Sequence, residues 1–351
     1  MGFIVSLLVL SFLIFFHELG HFLVARFFKV KVEVFSIGFG STIFKKVVGE
    51  TEYRLSLIPL GGYVQMKGQN DLNPTSSSND FDSYNMKSPL QRIAILFGGP
   101  AFNFILAFSL FISISMIGFQ TLSPKIGELQ KDMPSIESGL KSGDLISKIN
   151  GEEIQTWKEL SAKIKESENN INFQITRDSE TINISITPKI VESKNIFGET
   201  VQNRMVGISP NGETIYFQLS FFESINYGFE RTLESTTLIF QSVEKLIVGV
   251  LGIDQLGGVV SIMEYTAKAS ETGLIAILVM MALLSVNLGV LNLLPIPALD
   301  GGHIIFNIYE MVRGKAPNEK VMYFLTIIGW GILISLMLVG LFNDISRLVT
   351  G

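Results

Sequence analysis

The chain has no cysteine and only three histidines in 351 residues. Without cysteine there is no disulfide and no thiolate metal site, and the absence assigns no compartment. Charge is scarce as well. Asp, Glu, Lys and Arg make up 17% of the residues, where a soluble domain carries about 25%. The net charge of −5 and pI near 5.4 offer no basic footprint to nucleic acid. Against these shortages stand 47% hydrophobic residues, 27 of them Phe, and a mean hydropathy of +0.41. That balance favours a helical membrane core with one small domain over two or three soluble domains. No repeat of fixed period is visible.

Four stretches are apolar and long enough to cross a bilayer, which takes about 20 residues. They run roughly over residues 2–28, 93–123, 273–294 and 321–342. A cleavable signal is the alternative for the first. It lacks a basic segment before the apolar run and a small-residue cleavage site after it, and it contains His17, Glu18 and His21. Lys and Arg orient the spans. Nine basic residues, from Arg26 to Arg92, follow the first span, and Arg313, Lys315 and Lys320 separate the third from the fourth. Both segments are expected in the cytoplasm. Residues 125–272 and both termini are then expected outside it.

Residues 53–66 (YRLSLIPLGGYVQM) alternate apolar and polar around Gly61-Gly62, which predicts a β-hairpin or small sheet. Residues 70–82 are rich in Ser, Asn and Asp and read as a loop. Short strands are predicted at 125–129, 145–149, 171–176 and 182–187, with a helix at 157–166, the pattern of a small α/β domain. Residues 221–252 read as an amphipathic helix whose apolar tail is too short to span, so it lies on the outer surface or packs on the core. The expected divisions are a first span (1–30), a cytoplasmic-side hairpin and loop (31–92), a second span (93–121), a small domain (122–190), a linker with an amphipathic helix (191–272), a third span (273–303), and a fourth span with the C-terminus (304–351).

His17-Glu18-Leu19-Gly20-His21 is an HExxH sequence. On a helix the two imidazoles share a face and can reach one ion. Glu18 is turned by about 100° from His17, so it can stand beside a metal-held water as general base. A Glu inside an apolar span costs roughly 2–3 kcal/mol on the lenient scale, so three polar residues in five positions need a reason. Snorkelling at the membrane edge is the plainer one. Yet His17 lies about 22 Å along the helix at 1.5 Å per residue, inside a core of about 30 Å.

Two His do not complete a catalytic zinc site, which takes three protein ligands and leaves one position for water. The acidic residue with a suitable setting is Asp300, in NLLPIPALDGGH (292–303), and His303 competes with it. Pro295 and Pro297 remove two backbone donors and bias Leu294 and Ile296 away from helix. The third span should therefore unwind there, which membrane depth tolerates only inside protein or beside a water-filled cavity. The first and third spans run in the same direction, which places His17, His21 and Asp300 at comparable depth. Each ligating imidazole also needs a partner for its other ring N–H, and the sequence does not identify it.

At these residues the chain resembles the site-2 protease family of intramembrane zinc metalloproteases, in particular its bacterial RseP (regulator of sigma-E protease) branch. The likeness extends over nearly the whole chain. HELGH (17–21) and NLLPIPALDGGH (292–303) carry it, with FSIGFG (35–40), PLGGYV (59–64) and GGPAFN (98–103) in support. The resemblance implies that His17, His21 and Asp300 bind Zn2+, that Glu18 activates water, and that Asn292 contacts substrate or the developing oxyanion. Residues 122–190, through GLKSGDLISKINGEEI (139–154), resemble a PDZ domain, and residues 53–66 resemble the family's membrane-reentrant hairpin. GGP stands where AGP is commoner, and Leu256-Gly257-Gly258-Val259 lacks the usual Pro.

The expected fold is a polytopic α-helical membrane protein with four transmembrane helices, a membrane-associated β-hairpin or sheet and one extracytoplasmic PDZ-like α/β domain. The expected function is cleavage of pre-trimmed membrane proteins with a single transmembrane helix, such as anti-sigma factors or remnant signal peptides, in a bacterial cytoplasmic (inner) membrane. The expected partners are that bilayer and those substrates, with no nucleic acid. The rival readings are a metal-ion transporter, which predicts inverted repeats, and a non-catalytic PDZ membrane scaffold, which makes Glu18 dispensable.

Overall fold

Residues 2–27 contain no proline, and their few polar groups interrupt an otherwise apolar run, so they form one long helix, α1 (Gly2–Phe27). The computed structural model describes residues 2–69, 78 and 80–350. Most of the polar loop expected at 70–82 lies outside the described residues. After α1 come β1 (Val32–Val48), β2 (Thr51–Met66) and α2 (Pro89–Ile117). A β-rich stretch follows, with β3 (Phe119–Leu122), β4 (Ile126–Leu129), α3 (Pro134–Glu137), β5 (Leu145–Ile149), β6 (Glu152–Glu153) and α4 (Trp157–Glu166). It continues through β7 (Ile171–Arg177), β8 (Glu180–Ile186), β9 (Lys189–Lys194), β10 (Thr200–Met205), β11 (Ile208–Pro210) and β12 (Thr214–Phe217). The last helices are α5 (Phe221–Ile247), α6 (Val259–Thr272), α7 (Leu274–Asn292), α8 (Asp300–Arg313) and α9 (Glu319–Thr350). Among them α1, α2, α7 and α9 are long and apolar enough to cross a membrane, the four stretches expected from sequence.

The chain forms two compact units, residues 1–114 with 221–351, and residues 115–220. In the first, Val9 and Leu13 of α1, Leu106 of α2 and Leu284 of α7 bury one another. A second cluster joins Ala25, Val30, Val32, Met66, Ile95 and Leu96, and so ties the strands to the ends of α1 and α2. The sheet is richer than one hairpin. Ser36 of β1 stands between Tyr63 and Arg54, and residues 34–37 are flanked on both sides by parts of β2. That leaves residues 62–66 along one edge.

α7 ends at Asn292 and the backbone stays non-helical until α8 begins at Asp300. Pro295 and Pro297 supply the reason, since neither can donate to a helical ladder. Short turn bonds hold the break, from Ile296 N to Leu294 O (2.7 Å) and from Leu299 N to Ile296 O (2.8 Å). The expected third segment (273–303) is thus one long helix, a loop and the start of another. At the far end of the unit, the Asp344 carboxylate of α9 caps α6. It accepts from Gly258 N (2.9 Å), Val260 N (3.0 Å) and Ser261 N (3.1 Å).

In the second unit an antiparallel sheet runs in the order β6-β5-β7-β8. Ile146, Phe173, Ile175 and Leu160 of α4 fill its core. Thr156 caps α4, accepting from Glu159 N at 3.2 Å. Asp144 is 1% exposed and takes two hydrogen bonds from Arg177, each 2.7 Å. Residues 191–220 differ from the linker expected there. β9 and β10 form a hairpin, β11 pairs with β4, and β12 pairs with β3. These last strands are three and four residues long, too short to show a period. Their partners lie at the start of the unit, so local pattern does not reveal them.

Candidate active site

His17 and His21 lie one turn apart on α1, with their Nε2 atoms 3.2 Å apart. Asp300 is the first residue of α8. Its Oδ2 is 3.3 Å from His17 Nε2 and 3.4 Å from His21 Nε2. The ligand atoms of the three all lie within 4.8 Å of one another. The break after α7 explains the approach. Seven non-helical residues, 293–299, carry the chain back so that the first side chain of α8 meets α1.

α2 holds both imidazoles from behind. His21 Nδ1 is 2.9 Å from Ile95 O, and His17 Nδ1 is 3.1 Å from the side-chain amide of Asn103. Asn103 is fully buried, and its backbone O accepts from Ser285 Oγ of α7 at 2.7 Å. Only glycine fits at position 99 between them. A Cβ there would stand 2.7 Å from His17 Cε1 and overlap His21 Nε2. In the sequence Asn103 stands out only as the last residue of GGPAFN (98–103), with no role attached. The available signal was a lone amide in an apolar span, where an unpartnered polar group is costly.

A cavity of about 210 Å3 opens on the three side chains. Glu18, Asn292 and His303 line it, together with Gly62 and Tyr63 of β2 and Trp330 of α9. β2 comes close to Glu18, since a Cβ built on Gly62 would lie 3.2 Å from Glu18 Cγ. His303 shares the cavity, but the three converging donors are His17, His21 and Asp300.

The donor set suits a cation. Two imidazole nitrogens and a carboxylate oxygen converge, and Asp300 Oδ2 is buried with no donor in hydrogen-bond geometry. Three such ligands with an open side facing a cavity are what a catalytic zinc ion takes.

Comparison with known proteins agrees with this chemistry. A Campylobacter jejuni protein, Cj1068, provisionally named a zinc metalloprotease, is 45% identical over 347 residues, which is 99% of this chain and 94% of that one. A Helicobacter pylori protein with the same provisional name is 39% identical over 356 residues, 99% of this chain and 100% of that one. The regulator of sigma-W protease RasP of Bacillus subtilis is 30% identical over 423 residues, 98% of each chain. Among solved structures, the PDZ domain of an SdrC-like protein from Listeria monocytogenes matches 24% of this chain and 84% of its own, at 17% identity and a TM-score of 0.21, too slight a likeness to build on. The profile of peptidase family M50 matches residues 5–336. The chain belongs to peptidase family M50 and is a membrane metalloprotease.

Proposed function

We propose that the chain is a zinc-dependent endopeptidase that cleaves other membrane proteins within or beside their transmembrane helices. The convergence of His17, His21 and Asp300 on one point inside a bundle of apolar helices carries this reading. His17, His21 and Asp300 would be the residues that hold zinc. Bound zinc supplies Lewis acidity, which acidifies water and polarises a carbonyl. Glu18 takes the proton of the attacking water and returns it to the leaving amine. Asn292, on the cavity wall, donates a hydrogen bond to the developing oxyanion, an interaction worth around 3 kcal/mol in other enzymes.

A helical substrate must unwind before its backbone can be cut. Gly62, Tyr63, Val64 and Met66 of the edge strand line the cavity, and strand addition there replaces the bonds the substrate helix gives up. In this reading the excess of Lys and Arg in residues 26–92 and 313–320 puts these loops on the cytoplasmic side. By the same rule the two termini and residues 115–220 lie outside the inner membrane of a bacterium. The latter, a PDZ-like domain in this reading, admit substrates whose outer part has already been removed. Candidate substrates are single-span anti-sigma factors and remnant signal peptides.

The test is cleavage of a single-span test substrate by the purified protein in detergent. Wild type is expected to cut it in a chelator-sensitive way, and Glu18→Gln to retain zinc without cutting. Cleavage by Glu18→Gln at the wild-type rate would defeat the mechanism.

A further inference from the structure

The side chain of Asn103 touches His17 on the nitrogen that faces away from the convergence point. The two ring nitrogens of a neutral imidazole have opposite roles, one carrying the proton and the other a lone pair. If Nε2 of His17 holds a metal, its lone pair is committed and the proton sits on Nδ1. The group facing Nδ1 must then be an acceptor. For His21 that condition is met by a backbone carbonyl, Ile95 O at 2.9 Å, which can only accept. For His17 the neighbour is an amide, which can present either an oxygen or a nitrogen.

The amide has two arrangements, half a turn apart. In one, Nδ2 faces His17 Nδ1 at 3.1 Å and donates to it, while the buried Oδ1 has no partner. In the other, Oδ1 faces His17 and receives the Nδ1 proton. The second is the one compatible with ligation through Nε2; it gives Oδ1 a donor and turns Nδ2 to the side where Oδ1 stood. The backbone of Asn103 stays fixed in either case, because its carbonyl is held by Ser285 Oγ from α7.

We propose that Asn103 is the positioning residue of His17. Its Oδ1 accepts the Nδ1 proton, fixes the tautomer that frees Nε2 for metal, and sets the plane of the ring. This role rests on the reading of His17 as a metal ligand. α2 thereby orients both imidazoles of α1, one through a backbone carbonyl and the other through a side-chain amide. The pairing gives a reason for a buried amide within an apolar span, where an idle polar group is a burden.

The role separates substitutions by what they can accept. Asn103→Asp places a carboxylate, which can only accept, against His17 Nδ1–H, a pairing that raises ligand basicity. Asn103→Leu removes the acceptor, and Asn103→Ser keeps a small polar group too short to reach. The measurement is the zinc dissociation constant of the full chain in detergent, by competition with a chromophoric chelator, alongside the visible spectrum of the cobalt-substituted protein. Asn103→Leu and Asn103→Ser are expected to weaken zinc binding about 10–100-fold and to alter the cobalt spectrum. Asn103→Asp is expected to retain both. If Asn103→Asp loses as much affinity as Asn103→Leu, the amide acts as a donor and the proposal falls. Wild-type affinity in Asn103→Leu or Asn103→Ser overturns it too. A wild-type protein that binds no zinc instead overturns the reading of the site itself.

Discussion

Gly329 of α9 lies against Ala298 in the break between α7 and α8. A Cβ built on Gly329 would come within 2.7 Å of Ala298 N and 3.1 Å of Ala298 Cβ. The fourth apolar helix therefore buttresses the non-helical residues that aim Asp300 at α1. A larger residue there has nowhere to go except into the loop. Gly329→Leu is expected to lower cleavage by about 100-fold, the scale of loss for a misplacement near 1 Å. Gly331→Ala serves as the control. Beyond its own stretch of helix, no atom of the described residues lies within 4 Å of the Cβ it would add, and it is expected to leave activity unchanged. Equal activity in both variants would remove the buttress from the account.

The three converging side chains make a prediction about composition as well as rate. Purified wild type is expected to carry one zinc per chain, and His17→Ala, His21→Ala and Asp300→Ala to carry almost none. His303→Ala is expected to keep its zinc, because His303 lines the cavity without joining the cluster. Metal analysis by mass spectrometry reads all four directly. Loss of metal in His303→Ala with retention in Asp300→Ala would reverse the assignment of the third ligand.

Much of the site was legible because its signals are local. HExxH fixes the relation of His17 to His21 by helix geometry alone, and Pro295 and Pro297 announce the break before Asp300. The four apolar helices follow from length and composition. What stayed hidden depends on contacts between distant segments. Asn103 reaches His17 across two helices, and nothing in the sequence of α2 points at α1. The glycines at 62, 99 and 329 read as turn or helix residues until their neighbours are seen. β11 and β12 are a few residues each and pair with strands at the other end of their unit, so polar composition suggested a linker instead.

The Asp144–Arg177 pair offers a test confined to residues 115–220. Asp144 is almost wholly buried and also accepts from Lys141 N at 2.8 Å. Asp144→Ala leaves Arg177 without its partner and Lys141 N without an acceptor. Removing the buried carboxylate leaves both donors without their acceptor, which is expected to loosen this unit. Limited proteolysis of the intact protein is expected to cut within residues 115–220 far faster in this variant. Its zinc content should match wild type, since the metal cluster belongs to the other compact unit. A variant that loses zinc along with proteolytic resistance would contradict that independence.

Gly62 separates catalysis from metal binding. A Cβ at this position would stand 2.8 Å from Ser36 O, 3.2 Å from Glu18 Cγ and 3.3 Å from Ile14 Cγ2. Backbone on one side and two side chains of α1 on the other leave no room, so Gly62→Val must move either the strand edge or Glu18. His17 and His21 point to the Asp300 side and keep their support from α2. The expected result is a fall in kcat of about 100-fold with zinc content unchanged. Either displacement gives that result, since general-base geometry and the edge offered to substrate both bear on kcat. A shift in zinc content of the same size would mean that the strand supports the metal ligands, and the assignment of Gly62 to the catalytic side would fail.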